Sequence, residues 1–176
     1  MYKVCVDIGH TPAKPGAVAK DGVTEYEQNI LLANLIAQEL HAIELIPVVI
    51  YRDTYSNLPN LINATHADIC ISVHANAAST PAATGTETLY YEHSERSKSL
   101  AAIVQQEMNA CLGLKDRGVK SLSLDDRGYS LVKKTNMPHV IIEPYFLSNH
   151  RDTAIANAKM EELAESIASA CASYLS

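Results

Sequence analysis

Short apolar runs alternate with helical patterns along almost the whole chain, and this alternation limits the folds open to it. Apolar runs typical of strands lie at 4–8, 46–51, 68–74, 86–91 and 140–143. Between and after them, apolar residues recur at helical spacing over 25–42, 58–67, 97–112 and 160–174. The alternation predicts an α/β fold of three layers, in which helices cover both faces of a mostly parallel, twisted sheet of about six strands.

One segment, 116–129, interrupts this pattern because it is polar and charged. It contains neither the alternation of a half-buried strand nor the spacing of an amphipathic helix. We therefore predict a loop there.

Length and charge narrow the classes of protein further. The chain has 176 residues, the size of one ordinary domain, so we expect residues 1–176 to form a single domain. A formal net charge of -6 argues against nucleic acid as a partner, because phosphate binding needs a basic face. No apolar run approaches the ~18 residues of a membrane span, so no membrane partner is expected.

The carboxyl ends of three apolar runs carry side chains that can bind metal or protons. VCVDIGH ends at His10, DICISVH ends at His74 and HVIIE ends at Glu143. Ligands of open α/β sheets bind beyond the carboxyl ends of the strands, so these three side chains meet if their strands are parallel neighbours. Glu25, at the start of the helix that follows the first run, can lie at the same edge.

Two histidines and one glutamate form an open zinc set in which water completes the tetrahedron. We therefore predict that His10, Glu25 and His74 bind Zn²⁺. Glu143 is expected to move protons, because a carboxylate at the end of so apolar a strand is costly without a partner. Taken singly, each histidine is more often a surface or hydrogen-bonded residue, and only the combination favours a site. His139, just before the last strand, is expected either near this edge of the sheet or, on the simpler interpretation, as an ordinary surface residue.

Glu25 is preferred to Glu27 as the metal ligand on local grounds. The sequence Thr24-Glu25-Tyr26-Glu27 has the form of a capping box, in which Glu27 folds back onto the Thr24 backbone. That gives Glu27 a structural role and leaves Glu25 without one.

Several short motifs occur in order along the chain. They are Asp7-Ile8-Gly9-His10, Pro15-Gly16-Ala17, Glu25 with Asn29, Ser72-Val73-His74-Ala75-Asn76, Gly85-Thr86-Glu87, Arg117 to Lys120, and Met137-Pro138 with Val140, Glu143, Phe146, Ser148 and Asn149. As a set they resemble the zinc-dependent N-acetylmuramoyl-L-alanine amidases of the type 3 amidase family, found in bacterial cell-wall hydrolases and phage endolysins.

The resemblance implies a catalytic amidase domain that hydrolyses the amide between N-acetylmuramic acid and L-alanine in peptidoglycan. It implies that His10, Glu25 and His74 hold zinc and that Glu143 is the catalytic residue. It also implies an open groove for a glycan strand, and we expect the segments 77–84 and 115–127 to border it. The chain departs from the family pattern at positions expected to border this groove: Thr11-Pro12, Leu58, His139 and Tyr145.

Two other functions remain open from the sequence. A related zinc carboxypeptidase would need a cationic anchor for a terminal carboxylate, and the sequence shows no clear one. A non-catalytic cell-wall-binding module would have no use for the four residues His10, Glu25, His74 and Glu143.

The site of action is expected to lie outside the compartment of synthesis. Met1 to Lys3 lead directly into the first strand and leave no room for a signal peptide. We therefore expect synthesis in the cytoplasm and action on the cell wall after release, as in a phage or prophage lysin or a lysis-released enzyme. The chain holds no recognisable wall-binding repeat, so targeting to the wall is expected to come either from a wall-binding domain missing from this chain or from this domain itself.

Overall fold

This protein has one sheet of six strands. Neighbouring strands are parallel in every pair but one. The computed structural model describes residues 1–176. The strands are β1 (Lys3–Ile8), β2 (Ile46–Tyr51), β3 (Ile69–Val73), β4 (Thr86–Tyr91), β5 (Asp116–Leu122) and β6 (His139–Glu143). They lie in the order β2-β1-β3-β6-β4-β5, and only the β4–β6 pair is antiparallel.

Helices cover both faces of this sheet. They are α1 (Glu25–Ala42), α2 (Leu58–Ala64), α3 (Glu95–Leu112), α4 (Tyr129–Lys134), α5 (His150–Ala158) and α6 (Met160–Leu175). The larger hydrophobic core, on one face, joins β1, β3 and β6 to α1, α3 and α6. Smaller clusters on the other face involve α2 and α4. The predicted α/β class with a mostly parallel sheet of about six strands is confirmed.

The central strands β1, β3 and β6 read as largely apolar runs because both of their faces are covered. In β1, Val4 and Val6 point into the larger core, whereas Cys5 packs with Leu58 and Ile62 on the opposite side. Each position of a central strand therefore removes a side chain from water. No helix of the protein is both long enough and apolar enough to cross a membrane.

The prediction of a loop over 116–129 was wrong for most of the segment. Its first part is β5, which pairs with β4 at the edge of the sheet, and its last residue begins α4. Most side chains of β5 are exposed or only partly buried, so they can be polar and leave no apolar alternation in the sequence. The short helices α4 and α5 were not predicted for a related reason, since neither is long enough to show a helical period.

The interpretation of His139 as a surface residue was also wrong. Its side chain is fully buried on the face of the sheet that α2 and α4 cover. Ser72 donates its hydroxyl proton to Asp7 Oδ2 (2.7 Å), and His139 Nε2 lies 2.8 Å from the same hydroxyl. His139 Nδ1 lies 3.0 Å from Thr135 Oγ1. Two hydroxyl partners satisfy a neutral imidazole, and burial, with the nearby His74, lowers the pKa of His139 to about 3.

This buried imidazole predicts a loss of stability in acid. Between the unfolded pKa of His, 6.5, and about 3, the unfolded chain binds a proton at this site that the folded chain does not. Above the unfolded pKa, His139 costs the folded state no stability. As the pH falls below it, the free energy of unfolding decreases, by roughly 2–3 kcal/mol between about pH 7 and pH 4.5. Urea unfolding at the two pH values should show that His139→Gln loses less stability than the wild type. Substitution of the exposed His41 by Gln is the control, and equal losses in wild type and His139→Gln would contradict the prediction.

Candidate metal centre

Topology brings the predicted site residues together. The strands β1, β3 and β6 are parallel neighbours, so their carboxyl ends share one edge of the sheet. His74 directly follows β3, Glu143 is the last residue of β6, and His10 follows β1 after Gly9. Glu25 begins α1 beside them.

Glu25 lies between the two histidines and contacts both. His10 Nε2 is 3.0 Å from Glu25 Oε2, and His74 Nδ1 is 2.9 Å from Glu25 Oε1. One potential ligand atom from each of the three residues lies within 4.8 Å of the other two. The Glu25 oxygens also accept hydrogen bonds from the backbone N–H groups of Ala17 (3.1 Å) and Ala75 (3.3 Å), which hold the carboxylate in place.

The capping box that separates Glu25 from Glu27 is confirmed. Thr24 Oγ1 accepts a hydrogen bond from the backbone N–H of Glu27 (3.2 Å), and Glu27 Oε2 accepts one from the backbone N–H of Thr24 (2.8 Å). Glu27 is exposed to solvent, whereas Glu25 is buried next to the histidines. The start of α1 thus uses one glutamate for the helix and turns the other toward the site.

The electrostatics of the three residues suit a divalent cation. Burial alone raises the pKa of Glu25, but hydrogen bonds and charge from His10 and His74 outweigh burial and hold that pKa well below its usual value. Glu25 is therefore ionised at neutral pH. An ionised carboxylate with two imidazoles is the donor set of open zinc sites.

The backbone around the site is closely packed, and this packing explains two glycines. A Cβ on Gly9 would lie 2.5 Å from His74 Cε1, and a Cβ on Gly16 would lie 2.4 Å from Glu25 Oε2. His10 itself has a left-handed backbone with φ of 72°, which is uncommon for a residue with a side chain. The Asn29 side chain donates to the Gly9 carbonyl (3.2 Å) and supports this turn. Gly16 and Asn29 belong to the motifs noted in the sequence, but their reason is visible only in these contacts.

Glu143 lies at the same edge with part of its carboxylate unpaired. Its Oε2 atom is shielded from solvent and has no hydrogen-bond partner. Burial, followed by the negative charges of Glu25 and Glu87, raises the pKa of Glu143 well above its usual value. A buried polar atom without a partner costs free energy, so an unpaired carboxylate oxygen next to the three candidate ligands is well placed to contact a ligand. This unpaired oxygen and the donor set of the three neighbouring residues fit a metal-dependent hydrolase.

A second group of polar side chains supports the edge from β4 and β5. Glu87 faces Glu143 across the antiparallel β4–β6 pair. Its carboxylate accepts hydrogen bonds from the Asn76 side-chain amide and from Arg117 Nε (2.7 Å). The Arg117 guanidinium also lies over the Phe146 ring, 4.9 Å from its centroid. These contacts connect the segment after β3 to β4 and β5, and none of them was inferred from the sequence.

A groove with a volume of about 1060 Å³ opens at this edge. It is lined by His10, Glu25, His74 and Glu143, and further along by residues of the β2–α2 connection, of the loop after β5 and of α4. Of the two segments expected to border it, 115–127 contributes Leu124, Asp126 and Arg127, whereas 77–84 contributes only Ala77. The groove is large enough for a ligand of several residues.

Comparison with known proteins agrees with this architecture. Residues 4–173 match the family Amidase_3, described as N-acetylmuramoyl-L-alanine amidase. N-acetylmuramoyl-L-alanine amidase LytC of Bacillus subtilis is 32% identical over 158 residues, which cover 86% of this chain and 30% of LytC. The endolysin of Bacillus phage SPP1 is 29% identical over 163 residues, which cover 86% of this chain and 57% of the endolysin.

One solved structure shares the fold of this protein over nearly the full length of both chains. The crystal structure of N-acetylmuramoyl-L-alanine amidase from Clostridium difficile 630 superposes with a TM-score of 0.89 at 30% identity, covering 99% of this chain and 96% of that one. The resemblance inferred from the motifs is thereby confirmed. The chain belongs to the Amidase_3 family of N-acetylmuramoyl-L-alanine amidases.

Proposed function

We propose that this chain hydrolyses the amide bond between N-acetylmuramic acid and L-alanine in peptidoglycan, and that residues 1–176 form one catalytic domain. The observation that carries the proposal is the convergence of His10, Glu25, His74 and Glu143 at the carboxyl ends of three parallel strands, at one edge of an open groove. The names of the relatives, which are amidases and an endolysin, support the substrate.

His10, Glu25 and His74 would hold Zn²⁺, because their donor atoms converge and Glu25 is ionised. A bound zinc ion supplies Lewis acidity, which polarises the carbonyl of the amide and lowers the pKa of a water molecule to about 7. Backbone N–H groups of Ala17 and Ala75 keep the Glu25 carboxylate oriented toward the histidines.

Glu143 performs the proton transfer. Its carboxylate accepts the proton of the water that attacks the carbonyl, and it then donates that proton to the nitrogen that leaves as the amine of L-alanine. Burial and the negative charges of Glu25 and Glu87 raise the pKa of Glu143, which makes its carboxylate a stronger base toward the water proton. The unpaired Oε2 atom is free to receive it.

The chemical products identify the reaction. Digestion of purified muropeptides, followed by mass spectrometry, is expected to yield glycan with a free lactyl carboxylate and peptide with a free L-alanine amino terminus. Release of a residue from the other end of the peptide would instead show a zinc carboxypeptidase. Binding to the wall without any product would show a non-catalytic wall-binding module. Either result would overturn the proposed function.

A further inference from the structure

The groove beside the candidate metal centre has a strongly basic wall. Four cationic side chains line it: Arg52, Arg127, Lys133 and Lys134, here called the basic wall. The chain as a whole has 14 basic and 20 acidic residues, so four of its cations converge on one groove in a protein with a charge of -6. Away from Glu25 and Glu143, the lining contains one carboxylate, Asp126, whose Oδ2 already accepts from the Ser123 N–H (2.7 Å) and hydroxyl (2.9 Å).

None of these four cations has a carboxylate oxygen within the 4.0 Å of an ion pair. The ion pairs of lysine and arginine are Lys98 with Glu95 and Arg117 with Glu87, both elsewhere. The Arg52 guanidinium lies over the Tyr55 ring (5.7 Å from its centroid), and the Lys133 ammonium lies over the Tyr129 ring (5.2 Å). These ring contacts hold the cationic groups while leaving their N–H donors available to a ligand.

Local structure explains why the cations face the groove. In α4, Leu131 and Val132 are buried, whereas Lys133 and Lys134 are exposed to solvent. Arg52 directly follows β2, which is parallel to β1, so it lies at the same edge of the sheet as the site. Arg127 lies between β5 and α4. Because β5 runs antiparallel to β6, Arg127 reaches the groove from its far end, together with α4. The basic wall is thus assembled from the connection after β2 and from residues 127–134, two segments that are far apart in sequence.

We propose that the basic wall binds the carboxylate groups of the peptide part of the substrate, so that the protein prefers peptides with free carboxylates to amidated ones. This inference rests on the proposed function. A peptide joined to the glycan through its amino end has its terminal carboxylate on the far side of the scissile amide. N-acetylated sugars are uncharged, so carboxylates are the anions that such a substrate brings into the groove.

A charge-matched pair of variants tests the basic wall. The first is Arg127→Gln with Lys133→Gln. The second is Arg96→Gln with Lys98→Gln on α3, which packs in the core on the other face of the sheet and whose two side chains are exposed. Both double variants lose two positive charges, so general attraction to an anionic cell wall changes equally in the two proteins.

Each protein is assayed on two muropeptides that differ only in having free carboxylates or primary amides on the peptide. We expect the wild type and the α3 variant to prefer the carboxylate form by about tenfold in kcat/KM, mainly through KM. The groove variant should lose this preference, and the preference of the wild type should weaken in high salt. Equal preference in all three proteins would overturn the inference.

Binding of the free peptides, measured by calorimetry, separates this inference from the proposed function. A wild type that binds the carboxylate peptide more tightly than its amide, while cleaving neither muropeptide, would support the basic wall and refute the amidase activity. If the groove variant lost binding to a phosphate-containing polymer but not to the carboxylate peptide, the basic wall would serve a different ligand and the inference would be wrong.

Discussion

Glu143→Gln protein is expected to fold like the wild type and to lose activity by on the order of 10³-fold in kcat, with KM little changed. Glutamine has the same shape as glutamate but can neither accept nor deliver the proton in this reaction. The substitution should be tolerated by the fold, because Glu143 Oε2 makes no hydrogen bond that would be lost. Burial raises the pKa of Glu143 because it penalises the charged form, so a neutral side chain of the same shape should not cost stability at this position.

Initial rates on muropeptides and thermal unfolding together check this prediction. Glu161→Gln, an identical chemical change at an exposed position on α6, is the matched control and should retain wild-type rates. A Glu143→Gln protein whose kcat stayed within twofold of the wild type would exclude Glu143 as the proton-transfer group. Inactivity together with a lower unfolding temperature would instead indicate that the variant is misfolded.

Glu25→Gln is expected to weaken zinc binding by at least about 100-fold and to abolish activity. The substitution removes the negative charge between His10 and His74, whose nitrogens lie 3.0 and 2.9 Å from the carboxylate. Elemental analysis should find about one zinc per wild-type molecule and far less in the variant. Chelation of the wild type should likewise abolish activity, and added zinc should restore it.

Thermal stability supplies a readout that does not depend on activity. A metal at ~1,000 times its dissociation constant stabilises the folded state by about 4 kcal/mol, so zinc should raise the unfolding temperature of the chelated wild type but not of Glu25→Gln. The neighbouring Glu27→Gln is a demanding control, because glutamine can also complete a capping box and Glu27 does not face the site. Retention of zinc by Glu25→Gln and its loss from Glu27→Gln would reverse the assignment.

The candidate site could be predicted from the sequence because its signals are local. Each of His10, His74 and Glu143 ends a run whose apolar character follows from burial on both faces of a parallel sheet. The choice of Glu25 depended on a capping box spanning four residues, which is a short-range pattern as well. The roles of these residues as metal ligands and as proton carrier remain predictions until they are measured.

Other features could not be predicted because they depend on contacts between distant segments. The burial of His139 depends on hydroxyl partners supplied by Ser72 and Thr135. The strand β5 is polar because it lies at a sheet edge, and only its pairing with β4 defines it. The basic wall combines Arg52 with Lys133, and nothing in the sequence between them indicates that they share a groove.

The reversal of direction at β4 determines which loop is best placed for engineering. Because β4 runs antiparallel to β6, Glu87 near its beginning lies opposite Glu143 at the end of β6. The connection from β3 to β4, residues 74–85, therefore leaves and re-enters the sheet at the same rim. Lengthening this connection within residues 78–84, which keeps His74 and Asn76 in place, would add new surface at the rim beside the site while the scaffold beneath stays as it is.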